Sequence, residues 1–251
     1  MKQILLTLML FFTSTFAQAH GNEDLRVSIE PESTAQYTAG QFNYAFQLYD
    51  NDTKKVLTDA DLNESHTKKL HFIAYDPALK AFTHVHPEFD GKIWNVCLNL
   101  SVNGQYFLWA QGELLDKTEF SSMTRATIAN GQTENPILAL GDIRTGSDQG
   151  TQVKLANTKI KAGKMAMINF TVSRLDGTKP VLTDYLGAFA HVIATPTDGD
   201  ALNHVHPMAG SKPNTGLLHA TFDDAGDYRL WVQLMDGGIL KTIPLSVTVT
   251  K

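Results

Sequence analysis

Six of the nine histidines obey one spacing rule, written twice. His71 precedes His84-Val85-His86-Pro87 by twelve intervening residues, and His191 stands in the same relation to His204-Val205-His206-Pro207. Neutral imidazoles suit zinc, copper or nickel, and a three-histidine shell leaves positions for water or a further ligand. The pattern therefore points to metal binding, with His71, His84 and His86 in one set and His191, His204 and His206 in the other. The alternative is structural: the rings hydrogen-bond loop backbone and pack beside Ile73 or Ile193. A duplication copies a structural triad as faithfully as a ligand set. Glu88 could add an oxygen ligand after the first motif, and Met208 a thioether that favours Cu(I) after the second.

A β-hairpin is the element that must position each set. Asp198-Gly199 is a strong two-residue turn signal of type I′. Centring the second hairpin there sets His191 opposite His206 and Ile193 opposite His204. In the first copy the turn spreads over residues 76–81, which sets His71 opposite His86 and Ile73 opposite His84. Residues two apart on a strand share a face, so each hairpin gathers its three imidazoles on one side. A slip of one residue would turn one strand's histidines away. Pro87 and Pro207 lack an N–H and end their strands.

The motif belongs to a longer repeat. Gly104-Gln105-Tyr106-Phe107-Leu108-Trp109-Ala110-Gln111 answers Gly226-Asp227-Tyr228-Arg229-Leu230-Trp231-Val232-Gln233, with Gly, Tyr, Leu, Trp and Gln in identical places. That alignment sets Cys97 against His219, with both read as sheet residues rather than ligands. Thr38-Ala39-Gly40 answers Lys161-Ala162-Gly163, and Met165 and Met167 align with Phe42 and Tyr44, which reads as core packing. Trp109, Gln111, Trp231 and Gln233 fall on the face opposite Leu108 and Leu230, available to an exposed platform or to the other domain. Arg229 has no basic counterpart, since Phe107 occupies its place. Short alternating strands with almost no helical periodicity predict an all-β protein of two tandem immunoglobulin-like β-sandwich domains from an internal duplication. The boundary falls in a polar stretch, giving domains over residues 20–140 and 141–251.

Residues 1–19 read as a signal peptide: a cationic start, an apolar run from Ile4 to Phe12 and a small-x-small site at Ala17-Gln18-Ala19. Cleavage there makes His20 the first mature residue, whose amine and imidazole together form a nitrogen chelate suited to Cu(II). No stretch is long enough for a membrane span. The predicted location is periplasmic or secreted. A net charge of −5 and a pI near 6.0 argue against a nucleic-acid partner. Cys97 is the single cysteine, so no internal disulfide is possible.

The Ala-Gly strand entry, the His-Val-His-Pro hairpin, Tyr185-Leu186-Gly187-Ala188 and the Gly-Asp-Tyr-Arg-Leu-Trp-Val-Gln strand resemble a widespread group of secreted bacterial domains of largely uncharacterised function. The resemblance covers most of the second unit and, more loosely, the first. It implies an immunoglobulin-like sandwich and export, not an activity. More distantly, a small exported β-sandwich beginning with histidine resembles CopC-like and YtkA-like periplasmic proteins. Of the CopC Cu(II) ligands only His20 has a counterpart, and the methionine-rich loop is missing. The cupin pattern fits poorly, because Glu88 follows His86 too closely and Met208 replaces it in the second copy.

The leading expectation is an exported, non-enzymatic metal-binding or metal-handling protein, copper ahead of zinc, with a three-histidine site at one end of each sandwich. The alternative is a periplasmic adhesion or interaction module with structural histidines, in which the tryptophan faces meet a protein partner. A metal-dependent enzyme with bound water ranks third. No Ser-His-Asp order or nucleophile elbow is present, and the nearest paired carboxylates, Glu64 and Asp184, read as turn residues.

Overall fold

The computed structural model describes residues 26–65, 67–135 and 139–251, and the backbone of residues 19–20. The expected leader lies outside the described residues except for the backbone of Ala19, and so does the side chain of His20. The short strand Ala19–His20 pairs antiparallel with Leu202 and Ala201.

Each repeat folds as two antiparallel sheets packed face to face. In the first, an outer sheet runs Val27–Pro31, Gly40–Asp50, Trp94–Leu100, Glu88–Phe89. The facing sheet runs Tyr37–Thr38, Glu119–Ala129, Gly104–Leu114, Leu70–Tyr75, Phe82–Val85. The second repeat has the same order. Its outer sheet is Thr151–Leu155, Met165–Arg174, Thr215–Thr221, Met208–Ala209, extended at one edge by Thr145–Asp148. Its other sheet is Ile160–Lys161, Ile239–Thr250, Gly226–Asp236, His191–Pro196, Ala201–Val205. In both, a two-residue segment early in the repeat joins the last strand in parallel. This strand order and the early crossing between sheets are those of an immunoglobulin-like sandwich. The predicted fold class is the observed one. Among the described residues there is no α-helix, and none long and apolar enough to cross a membrane.

Alternation explains the two cores. Tyr44, Phe46 and Leu48 point inward from one strand and meet Val96, Leu98, Tyr106 and Leu108. In the second domain Ile168, Phe170 and Val172 do the same against Leu218, Tyr228, Leu230 and Val232. Full burial of such side chains contributes about 1.5–3 kcal/mol each.

A third apolar cluster joins the domains. Ile73, Tyr75, Leu79, Phe107, Trp109 and Met123 pack against Ile193, Leu202 and Trp231. Every one of these lies on a histidine-bearing sheet or the turn of its hairpin, on the face turned away from its own sandwich core. The two sheets therefore pack against each other, and the faces carrying the histidines become an interior.

Candidate metal centre

The hairpins have the predicted register. Ile73 faces His84 and Ile193 faces His204. Pairing stops at Val85 and Val205, just before the prolines. The second turn is not the expected type I′, because within residues 196–200 only Gly199 has positive φ, +78°. Gly199 N–H donates to the Pro196 carbonyl at 3.0 Å, and the loop keeps the same centre, so the register survives. Leu79 occupies the corresponding place in the first copy at φ 52°. That costly left-handed conformation is held by Asp76, whose Oδ1 accepts the Lys80 and Ala81 amides at 2.7 and 2.8 Å.

The triads do not stand apart at two sandwich ends, as the sequence suggested. Ile73, Ile193, Leu202 and the two tryptophans beside them are too apolar to face water, and their burial brings the hairpins together. His71, His84, His191 and His204 are all buried, at 1, 6, 0 and 0% exposure. Across the domains, the His71 and His204 rings lie 5.2 Å apart, His84 and His204 5.2 Å, and His84 and His191 5.8 Å. His86 and His206 are half-buried at the margin of this cluster.

Nitrogens converge in two groups, each able to bring all its donor atoms within 4.8 Å of one another: His71, His84 and His204, and His191, His204 and His206. The second is the triad expected from the sequence. The first takes His204 from the other domain in place of His86. His86 stays nearby, with ring centroids 5.0 Å from His71 and 5.1 Å from His84.

Hydrogen bonds fix the orientation of the rings. His84 Nδ1 lies 2.8 Å from Gln233 Oε1, and His204 Nδ1 lies 3.1 Å from Gln111 Oε1, each contact crossing the domain interface. Each glutamine donates its amide N–H to a hydroxyl, Gln111 to Ser121 and Gln233 to Thr242. With the amides so placed, His84 and His204 carry their proton on Nδ1. His191 Nε2 faces the Tyr185 carbonyl at 2.9 Å and His71 Nε2 faces the Ser65 carbonyl at 3.4 Å, so both are donors at Nε2. The inner nitrogens point at each other, His71 Nδ1 and His84 Nε2 at 3.1 Å, His191 Nδ1 and His204 Nε2 at 3.2 Å, and in these tautomers they are the atoms left to ligate an ion. Two nitrogens on one tetrahedral zinc are about 3.3 Å apart at the usual bond length. Outer N–H groups given to carbonyl oxygens are the arrangement that orients metal-ligating histidines.

Burial also sets the charge state. It pushes the His84 pKa well below the usual imidazole value, with His71 and His86 adding to the shift and the Gln233 acceptor opposing it. His204 is lowered by burial and then by His206, His84, His71 and His191. His86 is pushed down to about 3 by burial, His71, Lys68 and His191. Burial thus keeps His84, His86 and His204 as neutral nitrogen donors. His86 also lines a surface cleft of about 320 Å³ with Asp59, Glu64 and Glu88, and its buried Nε2 has no hydrogen-bond partner among the described residues.

Other expected positions fall elsewhere. Trp109 and Trp231 form no exposed platform; they are buried between the domains, at 0 and 1% exposure. Glu88 and Met208 lie on strands of the outer sheets rather than on the hairpins, with Glu88 still lining the cleft beside His86. Cys97 is exposed, and Gln41 Nε2 donates to its sulfur at 3.1 Å. Met165 and Met167 are not core; they are 64 and 56% exposed. Ile168 pairs with Leu218 as Tyr44 pairs with Val96, so the alignment of this strand was one residue off, which reverses every side chain.

Sequence reasoning missed the domain-bridging groups. Tyr75 Oη donates to the Gly199 carbonyl at 2.7 Å and accepts from Trp109 Nε1 at 2.8 Å. Arg229 Nε donates to the Leu79 carbonyl at 3.0 Å. The available signal was the repeated Leu-Trp-x-Gln, which places a large aromatic and an amide two apart on the non-core face of both copies.

The second domain, over residues 145–251, matches a family described as a domain of unknown function (DUF8832). No curated protein matches the chain. Among solved structures, the chain is similar to the fibronectin(III)-like modules of Clostridium thermocellum CbhA, at 14% identity over 88% of this chain and 93% of that one, TM-score 0.24. It is similar to the Escherichia coli adhesin FdeC at 13% identity, over 93% of this chain and 67% of that one, TM-score 0.27. A bacterial ice-binding adhesin matches at 11% identity over 91% and 65%, TM-score 0.25.

Proposed function

We propose that this is an exported metal-binding protein whose two domains clasp a single composite histidine centre, with Cu(II) preferred to Zn(II). The observation that carries the reading is the convergence of ring nitrogens. In both copies the outer ring nitrogens lie against carbonyl oxygens, and the inner ones meet at 3.1 and 3.2 Å. Nitrogen donors of this kind suit copper and zinc, and the Irving–Williams order places copper first. His71, His84 and His204 would hold the ion in one position and His191, His204 and His206 in an alternative one, since the one free nitrogen of His204 ligates one ion at a time. A bound ion would supply Lewis acidity; the chain supplies neutral donors, a dry surround and fixed ring orientation. Export rests on the leader pattern of residues 1–19.

Titration of the protein with Cu(II) and Zn(II), beside His204→Ala, His84→Ala/His86→Ala and His20→Ala, tests this. His204→Ala is expected to abolish high-affinity binding at both positions, and His20→Ala to leave it intact. Equal weak binding by all four proteins would refute the site. Loss with His20→Ala alone would move the site to the N-terminus.

An adhesion or interaction module is the second reading, with the histidines serving only to join the domains. Its support is an apolar rim at one end of the second sandwich, where Leu175 and Ile239 are 61 and 53% exposed beside a cleft of about 400 Å³. Single exposed apolar residues are ordinary, but a group around one cleft fits a contact surface. If partner capture were lost with Leu175→Asp/Ile239→Asp while metal titration stayed flat, this reading would replace the first.

A further inference from the structure

The outer sheet of the second domain carries a group of soft donors that the histidine centre does not use. Met167 and His219 are direct cross-strand partners, and Met165 lies two residues from Met167 on the same face. Met208 pairs with Leu217, the residue two before His219 on its strand, so it shares that face as well. Directly opposed residues have Cβ atoms about 4.5–5.5 Å apart and diagonal ones about 7–8 Å. Met165 and Met167 therefore lie together beside one imidazole, with Met208 on its far side.

These sulfurs face water. Met165, Met167 and Met208 are 64, 56 and 39% exposed. The buried Nε2 of His219 has no hydrogen-bond partner among the described residues. The duplication supplies an internal control. By the strand pairings, Gln41, Asn43, Glu88 and Cys97 hold the corresponding places in the first domain. There Gln41 donates to Cys97 Sγ at 3.1 Å, and Asn43 donates to Asn95 Oδ1 at 2.9 Å, an ordinary polar sheet face. One copy has thus replaced amides and a carboxylate with three thioethers, and set an imidazole among them.

We infer that Met165, Met167 and His219 form a surface site for a soft monovalent cation, Cu(I) in the first instance. Thioethers select Cu(I) over Zn(II), and an imidazole adds a donor compatible with it. The site is separate from the histidine centre and does not depend on it. The exposed positions allow exchange of the ion, whereas the buried centre is built for retention.

The test uses Ag(I), a redox-inert probe of the same charge and softness, added to the full chain and followed by methionine methyl NMR. The Met165 and Met167 signals should move together, with the His219 ring, as one equivalent is added, while Met235 stays still. Met165→Leu/Met167→Leu keeps apolar bulk at exposed positions and should weaken Ag(I) binding at this face at least about tenfold. Zn(II) uptake should be unchanged in that variant. In His204→Ala the methionine shifts should persist, whatever becomes of Zn(II) and Cu(II). Unmoved methyl signals, wild-type Ag(I) affinity in the leucine variant, or loss of the shifts in His204→Ala would each overturn the inference.

Discussion

Two glutamines do for this cluster what no histidine can do for itself: they fix where its protons lie. Gln111 and Gln233 each reach across to the other domain's histidine, His204 and His84. Gln111→Leu should remove the acceptor that holds His204 in its Nδ1–H form. The expected result is a 10–100-fold loss of Zn(II) affinity and about 1–3 kcal/mol of lost stability, read by titration and by urea unfolding. Wild-type affinity in that variant would mean that the tautomers are not set this way. The same histidines predict an acid limit. Their folded pKa values lie below the unfolded value of about 6.5, so below that pH the unfolded chain binds more protons than the folded one. Stability contributed by His84 and His204 is therefore fully present above about pH 6.5 and declines as pH falls, by up to about 1.4 kcal/mol per pH unit for each. Denaturation at pH 7.5 and 5.5 without metal checks the sign; equal stability would contradict it.

At the scale of the hairpin, the turn is part of the domain contact. A Cβ built on Gly199 would come within 2.7 Å of the Phe107 ring, and the backbone there is left-handed. Gly199→Ala should cost about 1–3 kcal/mol through strain and overpacking. The loss should appear in domain docking, as a change in Trp231 fluorescence, with the β-sheet circular dichroism of the sandwiches retained. The hairpin was legible because alternation and the turn centre fix which residues face each other, and that register holds in both copies. The partner of its outer face was not legible. A strand pattern says that Trp109, Gln111, Trp231 and Gln233 leave their own core, but not what they meet. The methionine strand failed for a related reason. Without a turn or motif to pin its register, an alignment error of one residue turned Met165 and Met167 from the surface into the core.

For the whole molecule, duplication produced two domains that pack by the same face and exchange equivalent contacts. Trp231 stacks on Tyr75 and Phe82 of the other domain, with centroids 5.5 and 4.6 Å apart. Trp231→Ala should remove about 3–5 kcal/mol. Because that side chain lies in the interdomain cluster rather than in either core, one unfolding transition should separate into two. A single transition at the wild-type temperature would show that the interface contributes little. The architecture was predictable as two sandwiches; their pairing, which turns two triads into one centre, depends on contacts between residues about ninety or more positions apart. The most direct test of that centre is anomalous diffraction at the copper and zinc edges from crystals of the metal-loaded protein. The account predicts an anomalous peak about 2.0–2.2 Å from nitrogens of His71 and His84 in one domain and His204 in the other. A peak bound by His71, His84 and His86 without His204, or no peak between the hairpins, would contradict it.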